Sequence, residues 1–396
     1  MEEQSKYKVL ARKYRSNTLS ELVGQDVLVK TLTNAIGLNR LAHAYIFTGI
    51  RGVGKTSTAR ILAKSINCTG ADGKADGPQV NPCGVCENCV AIKEDRHMDV
   101  IEMDAASRTG VDDIREIIDG AQYKPTMARY KVYIIDEVHM LSKNAFNALL
   151  KTLEEPPPYV KFIFATTEIR KVPPTVLSRC QRFDLARVDT DALAAHFKKI
   201  AGLEGIEIED DAIGIIAKAA DGSVRDGLSF LDQTIANSTG AIKAEDVAKI
   251  LGLAGKDAIF DLYSALMSGE IEKAVEMVGA QYKAGADPAL ILADMLELTH
   301  YITRAKLAPS AAEALPLTSV LRKRAAEMAD RLSIATLARA WQMLLKGFEE
   351  LARAPNILSA VEMLIIRIAY AGMQPTAAEI LSKIENSTSA EAQKKK

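Results

Sequence analysis

Gly49-Ile50-Arg51-Gly52-Val53-Gly54-Lys55-Thr56 decides how the rest of this chain is read. The spacing is G-x-x-x-x-G-K-T. Before it, Ala44-Tyr45-Ile46-Phe47-Thr48 is an apolar run of strand length; after it, Ser57 to Asn67 carries Ile61, Leu62 and Ile66 as a helix would. Strand, glycine-rich loop and helix, in that order, make a phosphate-binding site. Glycines let the backbone approach phosphate oxygens closely, and the N–H groups at the helix start point at the anion. The expected nucleotide-binding set is Gly49, Gly52, Val53, Gly54, Lys55, Thr56 and Ser57. Lys55 is expected on the β- and γ-phosphates, and the Thr56 hydroxyl on Mg²⁺. The plain alternative is a glycine turn capping a structural helix.

An acidic partner further along argues against that alternative. Lys131-Val132-Tyr133-Ile134-Ile135-Asp136-Glu137 reads as a buried strand ending in two carboxylates. Asp136 is expected in the Mg²⁺ shell, and Glu137 as the group that polarises the attacking water. The end of a parallel strand places both at the sheet edge where ligands bind. Asp136-Glu137-Val138-His139 also looks like a helicase box, although companion helicase motifs are missing from the sequence. Lys161 to Thr167 is another apolar strand ending in hydroxyls; Thr167 is preferred to Thr166 as the γ-phosphate sensor, against a simple strand-end turn.

Between these strands the α/β rhythm breaks. Cys68 and Cys83-Gly84-Val85-Cys86-Glu87-Asn88-Cys89 supply four thiolates, enough for a closed tetrahedral Zn²⁺ site. His97 is the runner-up for the fourth ligand. An iron–sulfur cluster needs four thiolates too, but nothing else in the chain points to redox chemistry. Cys180, the fifth cysteine, reads as a small buried hydrophobe.

At 396 residues the chain is expected to hold more than one core. Its 48% hydrophobic and 26% charged residues fit a globular protein, and a net charge of −1 excludes a global basic field for nucleic acid. No apolar run reaches membrane-spanning length, and Met1 to Lys6 has no signal-peptide core, so no membrane partner and a cytoplasmic location are expected. Ser20 to Gln25 leads into a helix-like stretch with Val27, Leu28, Leu32 and Ile36, which either brings apolar groups to a nucleotide base or is an N-terminal helix hairpin.

From residue 187 helices take over. Gly222-Ser223-Val224-Arg225-Asp226 reads as a capped helix start, and Arg225 in its first turn opposes the helix dipole, which points to an anionic partner. Arg179, in Leu177-Ser178-Arg179-Cys180, is an ordinary surface arginine on pattern alone. Leu337, Trp341, Leu344, Leu345 and Phe348 form one stripe and Val361, Leu364, Ile365 and Ile368 another, both read as bundle core. Residues from Glu385 on are polar, and the tail is expected to lack fixed structure.

The loop at Gly49–Thr56, the four cysteines, Ile134-Ile135-Asp136-Glu137-Val138-His139-Met140-Leu141, Asn147 to Pro157, Leu177-Ser178-Arg179-Cys180 and Gly222 to Asp226 together resemble the γ/τ subunits of bacterial DNA polymerase III. Those are AAA+ ATPases that drive the sliding-clamp loader. The resemblance runs from about Tyr7 into the helical third. It implies an α/β AAA+ P-loop module over residues 1–186 with a zinc insertion at about 67–98. A helical lid over 187–245, an all-α collar over 246–384 and a polar tail over 385–396 would follow.

It further implies that Arg225 senses the γ-phosphate of its own ATP and that Arg179 reaches ATP on the next subunit. The implied partners are other loader subunits and further copies of the chain in a five-membered ring, the sliding clamp and primed-template DNA. DNA contact would be mainly to phosphates, with Arg108 as a candidate at a helix start. The polymerase core is a partner only of a longer form. The working place would be replication forks on the nucleoid. Arg15 is followed by Ser16, where these proteins usually carry proline, and the chain stops where the short γ form does.

Rival readings remain at this stage. They are a motor that remodels or unwinds DNA, a non-hydrolysing stator, and a zinc-dependent DNA-binding module with an incidental phosphate loop.

Overall fold

Along β1 (Ala44–Thr48) successive side chains go to opposite faces of a sheet, and both faces are buried. Ala44 and Ile46 pack with Tyr133, Ile135, Phe162 and Phe164 on one face; Tyr45 and Phe47 pack with Val132, Ile134 and Ile163 on the other. Strands covered on both sides read as continuous apolar runs, which is why these segments lack a polar alternate. β2 (Val100–Asp104), β3 (Lys131–Asp136), β4 (Val160–Thr166) and β5 (Gln181–Asp184) complete a parallel sheet in the order β2-β3-β4-β1-β5.

The computed structural model describes residues 8–238, 240–251, 256–308, 319–351 and 353–373. The polar tail expected from residue 385 lies outside the described residues. The chain divides into two compact units, residues 1–243 and 244–396.

In the first unit α1 (Leu10–Lys13) and α2 (Asp26–Gly37) precede β1, and α3 (Lys55–Asn67) follows it. α4 (Glu87–Lys93), α5 (Val111–Ala121), α6 (Lys143–Glu154) and α7 (Pro174–Leu177) lie between the later strands. α2 and α3 cover one face through Leu28, Leu32, Ile61 and Leu62; α5 and α6 cover the other through Ile114, Ile117, Phe146 and Leu149. α8 (Thr190–Leu203), α9 (Asp210–Ala219) and α10 (Val224–Asn237) follow β5. Gly227 lets α10 meet α8, since a Cβ there would lie 2.1 Å from the Phe197 ring.

The second unit is helical in its described part: α11 (Ala244–Ile250), α12 (Lys256–Met267), α13 (Ile271–Lys283), α14 (Pro288–Leu307), α15 (Ser319–Arg331), α16 (Ile334–Leu351) and α17 (Ile357–Met373). Phe260, Tyr263, Leu292, Met295, Val361 and Ile365 lie in its core. The α17 stripe is buried as expected, but the α16 stripe splits. Leu337 and Leu344 are fully buried, whereas Trp341, Leu345 and Phe348 are 37%, 43% and 41% exposed. At about 100° per residue the last three fall on the flank of the arc that faces α17. Gly347 sits on that arc, where a Cβ would lie 2.2 Å from Leu364.

Candidate functional site

The strand register lines up one residue from each strand end. Asp104 lies opposite Asp136, and Thr48 lies opposite both Thr166 and Asp184. The glycine-rich loop leaves β1 at this edge. Gly54 occupies a left-handed conformation, φ 112°, immediately before α3, so the helix opens at Lys55 rather than at Ser57. Lys55 is only 5% exposed, and its ammonium donates to the carbonyls of Gly49 (2.9 Å) and Ile50 (2.8 Å). Burial lowers its pKa, opposed by the nearby carboxylates of Glu137 and Asp136. The Thr56 hydroxyl donates to Asp136 Oδ2 at 2.7 Å, so the two expected Mg²⁺ ligands, 80 residues apart, already touch.

β3 stops at Asp136 because Glu137 turns left-handed, φ 46°, and a one-turn 3-10 helix, Val138–Met140, follows. The turn carries the Glu137 side chain to the end of β4. Its Oε2 accepts from the Thr167 backbone N–H (3.2 Å) and the Thr167 hydroxyl (3.0 Å), so the preferred hydroxyl is the one that meets the glutamate. Thr166 is fully buried and instead meets His139 Nδ1 at 2.9 Å. His139 and Glu168 belong to this cluster and were not singled out from the sequence; the only signal was the His of Asp136-Glu137-Val138-His139.

The helical segment closes over the loop. Ser223 caps α10, accepting from the Asp226 N–H at 3.2 Å, and the Arg225 N–H donates to the Gly52 carbonyl at 3.2 Å. Among the described residues no side chain pairs with the Arg225 guanidinium, which is exposed. Leu22 lies beside Gly54, its Cδ2 4.0 Å from where a Cβ would stand, which brings the stretch after Ser20 to the loop. Half-buried Arg15 has its pKa lowered by burial and by Arg60. Arg179 is elsewhere: it donates to the Thr175 carbonyl (2.6 Å), to the Ser178 hydroxyl (3.2 Å) and to Glu154 at the end of α6. Arg108 lies three residues before the first residue of α5 and does not open it, because Gly110 takes the N-cap position.

Cys68, Cys83, Cys86 and Cys89 converge, with all four sulfurs within 4.8 Å of one another. The Cys68 sulfur accepts from the N–H groups of Gly70 (3.4 Å) and Cys83 (3.3 Å), and the Cys83 sulfur from Cys86 N–H (3.2 Å). Such donors suit thiolates. Burial pushes the Cys68 and Cys89 thiols up. At Cys86 burial is outweighed by hydrogen bonds from Thr69 and Cys89, and its pKa falls to about 6. Four sulfurs with no open position fit a structural metal. His97 is not with them: it contacts Asn88 Oδ1 (3.1 Å) and accepts from Asp99 N–H (3.0 Å). Cys180 packs against the sheet core, and burial raises its thiol to about 12.

The module is docked by polar groups. Asn67 and Tyr130 exchange two hydrogen bonds, Asn67 Nδ2 to the Tyr130 carbonyl (3.0 Å) and Tyr130 N–H to Asn67 Oδ1 (2.9 Å). Arg129 donates to the carbonyls of Ile66 (3.2 Å), Cys68 (2.7 Å) and Ala75.

Residues 24–189 match the family model described as DNA polymerase III, delta subunit; residues 192–240 match DNA polymerase III clamp loader subunit, ATPase lid domain. Residues 242–384 match DNA polymerase III subunits gamma and tau domain III. The DNA polymerase III subunit tau of Salmonella typhimurium and that of Escherichia coli are each 42% identical over 361 residues, covering 91% of this chain and 55% of the relative. The DNA polymerase III subunit gamma of Buchnera aphidicola subsp. Baizongia pistaciae is 36% identical over 370 residues, covering 93% of this chain and 98% of the relative. The chain thus spans about half the length of the tau relatives and nearly all of the gamma relative. No helix among the described residues is long and apolar enough to cross a membrane. With matches of this extent, the chain belongs to the gamma/tau family of DNA polymerase III subunits.

Proposed function

We propose that this chain is an ATP-hydrolysing subunit of a clamp loader, one that opens a ring-shaped sliding clamp and places it on primed DNA. The observation that carries the reading is the meeting of Lys55, the Thr56–Asp136 pair and the Glu137–Thr167 pair at one sheet edge, under a lid bonded to the loop at Gly52. Gly49, Gly52, Val53, Gly54 and Ser57 offer backbone to the phosphates, and Lys55 supplies a cation. Thr56 and Asp136 would hold Mg²⁺, which would supply positive charge against the phosphates. Glu137, aimed by Thr167, accepts a hydrogen bond from the attacking water.

Arg225 reaches the γ-phosphate from the chain's own lid, residues 187–245, and Arg179 reaches ATP of a neighbouring subunit. Residues 246–384 join subunits as a collar in a five-membered ring of loader subunits and further copies. The four-cysteine module at about 67–98 binds one structural Zn²⁺. The loader works at replication forks in the cytoplasm, on the nucleoid, contacting DNA phosphates.

The test is ATP turnover by the chain alone, in the assembled loader, and with clamp and primed DNA. The reading expects stimulation that requires clamp and a primer–template junction together. Turnover driven by DNA alone, with strand displacement, would instead indicate a remodelling motor. DNA binding indifferent to ATP would indicate a binding module.

A further inference from the structure

The turn after Glu137 brings His139 back against the end of β4, and its side chain is only 6% exposed. Its two ring nitrogens face different carboxylates. Nδ1 is 2.9 Å from the Thr166 hydroxyl and 3.4 Å from Glu137 Oε2; Nε2 is 3.5 Å from Glu168 Oε1. The Thr166 hydroxyl also accepts from Glu168 N–H at 3.0 Å, and Lys171 holds Glu168 Oε1 at 2.8 Å.

The consequence lies at Glu137. Its Oε2 accepts from the Thr167 N–H and the Thr167 hydroxyl, and His139 Nδ1, which bonds with the Thr166 hydroxyl, stands 3.4 Å from the same oxygen. Its other oxygen, Oε1, has no hydrogen-bond partner among the described residues. A carboxylate gripped on one oxygen and open on the other can accept a hydrogen bond from water in a single direction, which is what aligning a nucleophile requires.

We infer that His139 is a positioning residue for hydrolysis. Its ring, fixed by the Thr166 hydroxyl, stands between Glu137 Oε2 (3.4 Å) and Glu168 (3.5 Å), so it braces the glutamate by contact against the segment that follows β4. This rests on the proposed role of Glu137 as the water-polarising group. His139 touches neither nucleotide nor water; it acts by removing a rotational freedom of Glu137. The expected signature is a loss in kcat with ATP affinity retained, because the phosphate-binding residues are untouched.

The experiment uses the assembled loader with clamp and primed DNA, measuring kcat and ATP affinity for His139→Leu, His139→Asn, His139→Gln and Glu137→Gln. Asparagine places an amide nitrogen where the ring has Nδ1; glutamine reaches where the ring has Nε2. The expectation is that His139→Leu lowers kcat ~10–100-fold with ATP affinity within about threefold of wild type. His139→Asn should recover most of the rate and His139→Gln little of it. A His139→Leu loader that turns over at the wild-type rate while Glu137→Gln is dead overturns this inference alone. Equal loss in all three His139 variants, accompanied by a lowered melting temperature, makes the residue structural and also overturns it. If Glu137→Gln itself hydrolyses normally, the proposed catalytic reading falls, and this inference falls with it.

Discussion

The backbone N–H of Arg225 donates to the carbonyl of Gly52 across 3.2 Å, so the phosphate loop and the first turn of α10 share a hydrogen bond. The contact is close because Gly52 has no side chain: a Cβ there would stand 2.1 Å from the Ser223 hydroxyl. Its φ of 76° adds a second constraint, since left-handed backbone costs other residues about 1–2 kcal/mol. Gly52→Ala is therefore expected to displace the start of α10 and weaken ATP binding ~10-fold or more, that is, by at least about 1.4 kcal/mol. Titration with labelled ATP checks it; wild-type affinity would show that the lid contact does not support the nucleotide site.

Lys55→Ala and Glu137→Gln should separate binding from turnover. Removing the buried ammonium should abolish nucleotide retention, whereas the Glu137 amide should leave binding intact and stop hydrolysis. Filter binding and phosphate release, measured on the same preparations, distinguish the two.

Purified protein should carry one zinc, held by Cys68, Cys83, Cys86 and Cys89. Single Cys→Ser changes at these positions should lower the metal content, while Cys180→Ser and His97→Ala should leave it unchanged, as measured by elemental analysis. Because Arg129 and Asn67 tie the module to the sheet domain through backbone carbonyls, chelation should lower the melting temperature more than it slows catalysis.

Asp99 supplies a pH-dependent contribution to stability. Burial would raise its pKa, but N–H donors of Met127 (2.7 Å), Thr126 (2.8 Å) and Ala128 (2.9 Å), with His97 nearby, hold it below the usual carboxylate value. A depressed folded pKa means stability that is present above the unfolded pKa, about 3.9, and lost as pH falls through the folded one. Asp99→Asn should therefore melt well below wild type at pH 7, and the gap should narrow below about pH 4. A gap independent of pH would assign the loss to packing.

Arg179 is expected to act on a neighbour's ATP. A guanidinium keeps its charge and spreads five donors over phosphate oxygens, and loss of such a finger slows hydrolysis by ~10³–10⁵-fold. Arg179→Ala and Lys55→Ala chains, each inactive alone, should regain part of the activity when assembled together. Wild-type turnover by an Arg179→Ala loader would end the idea.

Much of the site was legible because backbone-binding motifs are local. Gly49–Thr56 has few alternative uses, and an apolar run ending in Asp136-Glu137 announces a strand edge. What escaped depended on single dihedral angles or on angular position. His139 joins the site only because Glu137 turns left-handed, a conformation uncommon outside glycine and not written in residue type. Trp341 and Leu345 look like core by composition, yet the arc buried on α16 is narrower than the apolar arc.

The pairing of Arg179 with Glu154 has a last consequence. In the chain by itself the guanidinium is occupied, held by a carboxylate and by the Thr175 carbonyl at 2.6 Å. Yet the side chains of Arg179 and Glu154 are 30% and 52% exposed, and pairs in such surroundings are worth about 0.2–1 kcal/mol. In the proposed ring, exchange of Glu154 for a phosphate on an adjoining protomer would therefore cost little. On the proposed trans role, the arginine would be held ready at the surface by partners it can give up cheaply, and the approach of the next subunit would decide its transfer.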